Sequence, residues 1–129
     1  MRSRIGDDTG SAVVDFVLTS SLLLFVFLAV LQLGLALHVR NTLVSCASEG
    51  ARYGARSGSS PEQGAQRARD LIDTSLSERY SDAVSTRVET TGAGVEVLVV
   101  DVSAPVPVVG PIGPSDGFDV RGRAFLEDQ

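Results

Sequence analysis

The chain has 129 residues, and its 16 acidic and 11 basic side chains give a formal net charge of −5. Because binding to nucleic acid phosphates needs a basic surface, this balance argues against nucleic acid as a partner. A single cysteine excludes an intramolecular disulfide. A chain of this length forms one small domain at most, and an apolar run takes up part of it.

The apolar run extends from Ala12 to Leu37, and Asp15 is its only charged residue. A helix of this length spans the roughly 30 Å of bilayer hydrocarbon, so the run predicts a transmembrane helix. A cleaved secretory signal is the alternative, but its apolar core is only about 7–15 residues long. Arginines flank the run on both sides, so the charge count leaves the orientation open.

The helix is predicted to continue to about Ser57, because no proline interrupts the segment after the apolar run. Small residues recur there at spacings of three and four, and they predict a narrow face that another helix can approach closely. These residues are Cys46, Ala47, Gly50, Ala51 and Gly54.

The remaining residues predict a small α+β domain. Ser60, Pro61 and Gln63 have the pattern of an N-cap, a first-turn proline and a capping box, so an amphipathic helix should begin there. Its apolar stripe consists of Ala65, Ala68, Leu71, Ile72, Leu76 and Tyr80. Three runs rich in β-branched or apolar residues predict about three antiparallel strands that cover this stripe. The runs are residues 84–91, 95–106 and 118–126, with a hairpin turn at 92–94 and a Pro- and Gly-rich loop before the third.

The sequence contains no arrangement typical of a catalytic, cofactor or metal site. His38 and Cys46 are eight residues apart on one predicted helix, about 12 Å along its axis, which is too far for a nucleophile and its base. We interpret His38 as an interfacial side chain and Cys46 as a small packing residue. The sequence therefore predicts neither an enzyme nor a cofactor.

The start of the apolar run has a distinctive order of residues: Ser11 follows Gly10, and counting from Ser11 puts Asp15 fifth and Phe16 sixth. This boundary resembles the processing site of type IV pilins and their Flp relatives, where a prepilin peptidase cuts after a glycine. The family usually has Glu at the fifth position, so Asp15 is a conservative departure. The resemblance implies that Asp15 offsets the new α-amine of Ser11, its own or that of a neighbouring subunit. The alternative is that Asp15 only N-caps an interfacial helix.

A second motif lies beyond the run, where Arg40, Asn41 and Thr42 precede Glu49-Gly50-Ala51-Arg52-Tyr53-Gly54-Ala55. This motif resembles that of TadE-like proteins of the tight-adherence (Flp) machinery. The two motifs together carry the resemblance over residues 10–56. It implies a pilin-like architecture, in which a long N-terminal helix precedes a helix packed on a small antiparallel sheet.

The resemblance implies a leader at residues 1–10, a transmembrane and continuing helix at 11–57, and an extracytoplasmic α+β domain at 58–129. We expect a single-pass protein of the cytoplasmic (inner) membrane with a cytoplasmic N-terminus. The implied function is that of a minor pilin or pseudopilin in pilus assembly or secretion, acting by subunit packing and able to enter a surface fibre.

The partners that the resemblance implies are the prepilin peptidase, other pilin-like subunits, the pilus assembly platform and membrane lipid. The small-residue face and the apolar surface of the long helix would pack against neighbouring subunits. The alternative function is an uncleaved bitopic scaffold that recruits assembly or secretion partners through its C-terminal domain.

Overall fold

The computed structural model describes residues 7–108 and 117–127, and it has the α+β architecture that the sequence predicts. The elements in chain order are α1 (Asp7–Gly54), α2 (Pro61–Ser75), a 3₁₀ helix (Glu78–Tyr80), β1 (Ala83–Thr90), β2 (Glu96–Ala104) and β3 (Phe118–Phe125). The first six leader residues and most of the predicted Pro- and Gly-rich loop lie outside the described residues. The chain divides into two compact units, Met1–Gly34 and Leu35–Gln129.

The first unit contains the beginning of α1, and the side chains described there are exposed except that of Gln32, which is partly buried. This helix is the only one in the described residues that is long and apolar enough to cross a membrane, with a mean hydropathy of 2.5 over its most apolar window. Exposed apolar side chains on every side of a helix are expected where lipid, rather than a protein core, surrounds it.

The second unit contains the end of α1, which stops at Gly54, three residues before the predicted Ser57. The chain turns away there, and Gly58 adopts a left-handed backbone with φ of +79°. The segment after β3 satisfies polar groups at this helix end. The Glu127 amide donates to the carbonyl of Ala55 at 3.0 Å, and the Glu127 carboxylate accepts from the Ser57 amide at 3.1 Å.

Helix α2 begins as predicted, with a complete capping box. The Ser60 hydroxyl accepts from the Gln63 amide at 3.3 Å, and the Gln63 side chain accepts from the Ser60 amide at 3.0 Å. The helix ends at Ser75, so the last two residues of the predicted apolar stripe lie beyond it. Tyr80 is nevertheless buried, because the short 3₁₀ helix returns its ring to the core.

The three strands form an antiparallel sheet in the order β1-β2-β3, as the sequence predicts. The predicted hairpin turn is present, since the Thr91 amide donates to the carbonyl of Val95 at 2.8 Å and Gly94 has a φ of +81°. Strand β2 stops at Ala104, two residues before the predicted end. Pro105 follows it, and proline has no N–H to continue the ladder.

One face of the sheet packs on both helices to form the core of the second unit. Val100, Val102 and Val120 from the sheet share a buried cluster with Leu43 of α1 and Ile72 of α2. Burial of such side chains contributes roughly 1.5–3 kcal/mol each before the entropy of ordering is subtracted. The predicted cover for the amphipathic helix is therefore confirmed.

Strand β3 lies in direct backbone contact with α1 at Gly122. A β-carbon at this position would lie 2.2 Å from the carbonyl carbon of Ala47 and 2.3 Å from the Ser48 nitrogen. Backbone atoms of a helix cannot yield as the tip of a long side chain can. Only glycine therefore permits α1 to lie this close to the sheet.

Replacing Gly122 with alanine should lower the free energy of unfolding by at least about 3 kcal/mol, because overpacking here pushes α1 off the sheet. Gly92→Ala is the matched control, since a β-carbon there has open space around it. Thermal unfolding of the detergent-solubilised chain, followed by circular dichroism, measures both. Equal unfolding temperatures for the two variants would contradict the contact.

Candidate assembly surfaces

The predicted processing boundary lies in the first turns of α1. Gly10, Ser11, Asp15 and Phe16 are all helical and exposed, and the Phe16 side chain is 72% accessible. Because α1 begins at Asp7, Asp15 lies two turns inside the helix. The alternative in which Asp15 N-caps the helix is therefore wrong for this chain.

The spacing of Ser11 and Asp15 places them on the same side of α1. Four residues of helix rise about 6 Å, so residues i and i+4 are neighbours one turn apart. A positive charge at Ser11 would thus lie within reach of the Asp15 carboxylate. Gly10 has no atom within 4 Å of the position of an added β-carbon, so the surface around this bond is open.

The first part of the second motif lies on α1 just beyond the apolar run. Arg40 and Asn41 are exposed, and Thr42 is partly buried. The Thr42 hydroxyl donates to the carbonyl of His38 at 2.9 Å, one turn earlier in the helix. Arg40 and Asn41 thus remain available for a partner outside the chain.

The second part of the motif has two opposite surfaces. Ala51 and the two glycines, Gly50 and Gly54, are buried, whereas Arg52 and Tyr53 are exposed. The side chain of Glu49, the first residue of this part, is partly buried. The motif therefore combines a packing face with a polar surface on one helix segment.

The packing face contacts α2 at very short range. A β-carbon on Gly50 would lie 2.7 Å from both the Gly64 carbonyl oxygen and the Ala68 side chain. At Gly54, an added β-carbon would lie 2.9 Å from the α-carbon of Gly64. The predicted close helix contact is thus present, but the helix is the chain's own α2. The expectation that this face contacts a neighbouring subunit is wrong, because it is buried within the second unit.

Cys46 and His38, the two residues considered as a catalytic pair, lie in different environments. Cys46 is 5% exposed and belongs to the hydrophobic core cluster, as expected for a small packing residue. His38 is exposed. The described residues contain no cluster of three or more His, Cys, Asp or Glu side chains that could hold a metal ion.

The outer face of the sheet carries a chain of charges that sequence reasoning missed. The side chains alternate in sign across the three strands, in the order Arg123, Glu89, Arg87, Asp101 and Arg121. The Arg87 guanidinium is central: its Nε lies 2.7 Å from Glu89 Oε1, and it also pairs with Asp101. The signal in the sequence was the alternation of charged residues along β1 and β3.

This charge chain explains why Val99 is fully buried although its side chain points away from the helices. Its partners in register on the two flanking strands are Arg87 and Arg123, and we attribute its burial to the long aliphatic stems of these arginines. The hydrogen bond from Arg87 also lowers the pKa of Glu89, because it stabilises the ionised carboxylate. The Glu89 carboxylate therefore stays ionised to a lower pH than an ordinary glutamate does.

The comparisons with known proteins bear on the helix rather than on the sheet. The family model of TadE-like proteins matches residues 10–52, about a third of the chain. Residues 10–52 of this chain are TadE-like. No curated protein and no solved structure matches the chain.

The match confirms the resemblance that the two motifs indicated, since it begins at Gly10 and ends at Arg52. The TadE-like family implies a part in tight-adherence pilus assembly, and its pilus proteins are structural rather than enzymes. The long apolar helix is consistent with a pilus-related membrane protein, whose partners are other pilus subunits or assembly components.

If the small residues of the TadE-like motif serve packing within the chain, Gly50→Ala should destabilise the second unit by about 1–3 kcal/mol through overpacking. Gly34→Ala is the matched control on the same helix, because nothing lies within 4 Å of a β-carbon there. Thermal unfolding in detergent is the measurement. A Gly50→Ala chain as stable as the Gly34→Ala chain would contradict the packing role.

Proposed function

We propose that this protein is a minor pilin or pseudopilin of a tight-adherence pilus or related secretion system. A prepilin peptidase would remove residues 1–10 on the cytoplasmic side, and the domain at 58–129 would lie outside the cytoplasmic membrane. The observation that carries the proposal is that the TadE-like match begins at Gly10, directly before the boundary that resembles a prepilin processing site.

Three properties of the described residues support an assembly role. The apolar surface of the first unit is exposed and suited to lipid or to the helices of other subunits. Asp15 is an exposed acid within an apolar helix, where an unpaired charge is costly and is expected to have a partner. Arg40, Arg52 and Tyr53 add a polar surface on the continuing helix for further subunits or the assembly platform.

The uncleaved scaffold remains a second candidate because Gly10 lies inside α1, not in an extended segment ahead of it. Cleavage after Gly10 would require the first turn of α1 to unwind. Terminal turns open at little cost in free energy, so the helical conformation is compatible with processing. A scaffold would retain that turn and recruit its partners through the C-terminal domain.

The N-terminus of the protein recovered from its native membrane distinguishes the two functions. Intact mass and N-terminal sequencing should give a chain that starts at Ser11 when the prepilin peptidase is present and an uncleaved chain when it is absent. Gly10→Val should retain the leader, whereas Gly34→Val should be processed normally. A leader retained in the presence of the peptidase would exclude processing and favour the scaffold.

The role of Asp15 is tested by removing its charge while keeping its shape. Asp15→Asn should reduce the amount of protein in sheared fibres by about tenfold, the effect of losing about 1.4 kcal/mol of pairing with an α-amine. Asp15→Glu should retain incorporation because it keeps the charge. Immunoblots compare the fibre and membrane fractions. Equal incorporation of the Asn and Glu variants would contradict pairing by charge.

A further inference from the structure

Strand β3 and the end of α1 run in the same direction in the second unit. Gly122 lies against the backbone of Ala47, and the Glu127 amide donates to the carbonyl of Ala55 at 3.0 Å. Five residues of the sheet segment thus advance beside eight residues of the helix. Phe118 precedes Gly122 by four residues, so the same ratio places it beside the helix about six residues before Ala47. The start of β3 therefore lies toward the apolar run.

The buried core agrees with this direction. Val39 of α1 shares a buried cluster with Ala104, and Phe118 packs against the same cluster. Ala104 and Phe118 are partners in the last pair of the sheet. Leu37, the last residue of the apolar run, is only two residues before Val39 on the helix. This end of the sheet therefore lies close to the level at which the apolar run ends.

The connection from β2 to β3 leaves the sheet at this end, and its first four residues are residues 105–108. Ala104 and Val106 each precede a proline, which favours an extended backbone, so the segment continues in the direction of β2. Four extended residues span about 13 Å. That length carries the chain past the last strand pair to the level of Leu37.

The side chains at this end are apolar and open to the surroundings. Val108 is 46% exposed, Leu37 is 49% exposed, and Pro105 is also exposed. Residues 102–115 contain no charged side chain in the sequence. Apolar side chains at the level where a membrane span ends are suited to the boundary between lipid headgroups and acyl chains.

We propose that residues 105–108 rest in the interfacial layer of the bilayer that α1 crosses, with the Val108 side chain in contact with the acyl chains. The domain then touches lipid at a second place, separate from its helical anchor. This inference requires that α1 spans a membrane. It requires neither cleavage after Gly10 nor a place in a fibre, and residues 105–108 lie outside the segment that matches the TadE-like family.

The contact needs little affinity of its own, because α1 already holds the domain at the membrane. A few apolar side chains bind a bilayer weakly when they are free in solution. Tethering by the helix raises their effective concentration at the surface and favours the contact. Arg40 is exposed on α1 close to the same level, where a guanidinium group suits the phosphates of the lipid headgroups.

A single tryptophan at position 108 tests the proposal, because the chain contains no other. The full-length Val108→Trp chain is reconstituted into vesicles of phosphatidylcholine and phosphatidylglycerol, and its fluorescence is recorded. Tryptophan favours the interfacial layer, so its emission should shift to shorter wavelength and fall at least about twofold when the acyl chains carry bromine, a contact quencher. Iodide in the aqueous phase should quench it little.

Val88→Trp is the matched control, since Val88 is also 46% exposed and lies about 20 Å along the sheet from the last strand pair. Its emission should be quenched by iodide and not by brominated lipid. Leu24→Trp places the same probe in the apolar run and should be quenched strongly by bromine. Thermal unfolding of each variant establishes that it is folded.

Equal bromine quenching of Val108→Trp and Val88→Trp, or equal iodide quenching of the two, would overturn the proposal. A shift of the Val108→Trp emission without bromine quenching would also overturn it, because a protein surface such as a second copy would then cover the segment. An unquenched Leu24→Trp would overturn the membrane span and the proposal together. None of these outcomes bears on cleavage after Gly10, which the N-terminal sequence measures separately.

Discussion

The second unit depends on close backbone contact between the end of α1 and the rest of the domain. Gly50 and Gly64 permit α1 and α2 to touch, and Gly122 permits α1 to lie directly on β3. Long side chains at these points would separate the layers and open voids in a core that is already small. Glycine has an entropic cost in a helix, and the contact it permits must offset that cost. The position of α1 in the domain thus depends on glycines, which have no side chain to hold the layers apart.

Because of the same close contacts, the early and the later part of the TadE-like segment have different roles. Its early part presents apolar side chains that nothing in the described residues covers, and its later part is consumed by the domain's own packing. Only polar residues of the later part, such as Arg52, remain on the surface. In a pilin-like assembly, subunit contacts would therefore be made by the apolar helix and by polar side chains, and the small-residue face would support the domain.

The two faces of the sheet also differ, because one is apolar and buried and the other is charged. One face is covered by helices, while the other carries arginines that pair with Glu89 and Asp101. Ion pairs this exposed contribute little to the free energy of unfolding. They keep the outer face of the sheet polar, and they hold its charged side chains in a defined order.

The sequence by itself determined the elements and their class: the apolar run, the capping box at Ser60 and the alternation in the strands are local patterns with local physical causes. It also determined the TadE-like resemblance, because two short motifs carry it. Only the tertiary structure decided what covers the small-residue face, why Gly122 is required and why Val99 is buried on the outer side. These depend on which distant residues meet. Spacing along a helix predicts that a close partner exists, but whether the partner is α2 or another subunit depends on the folded chain.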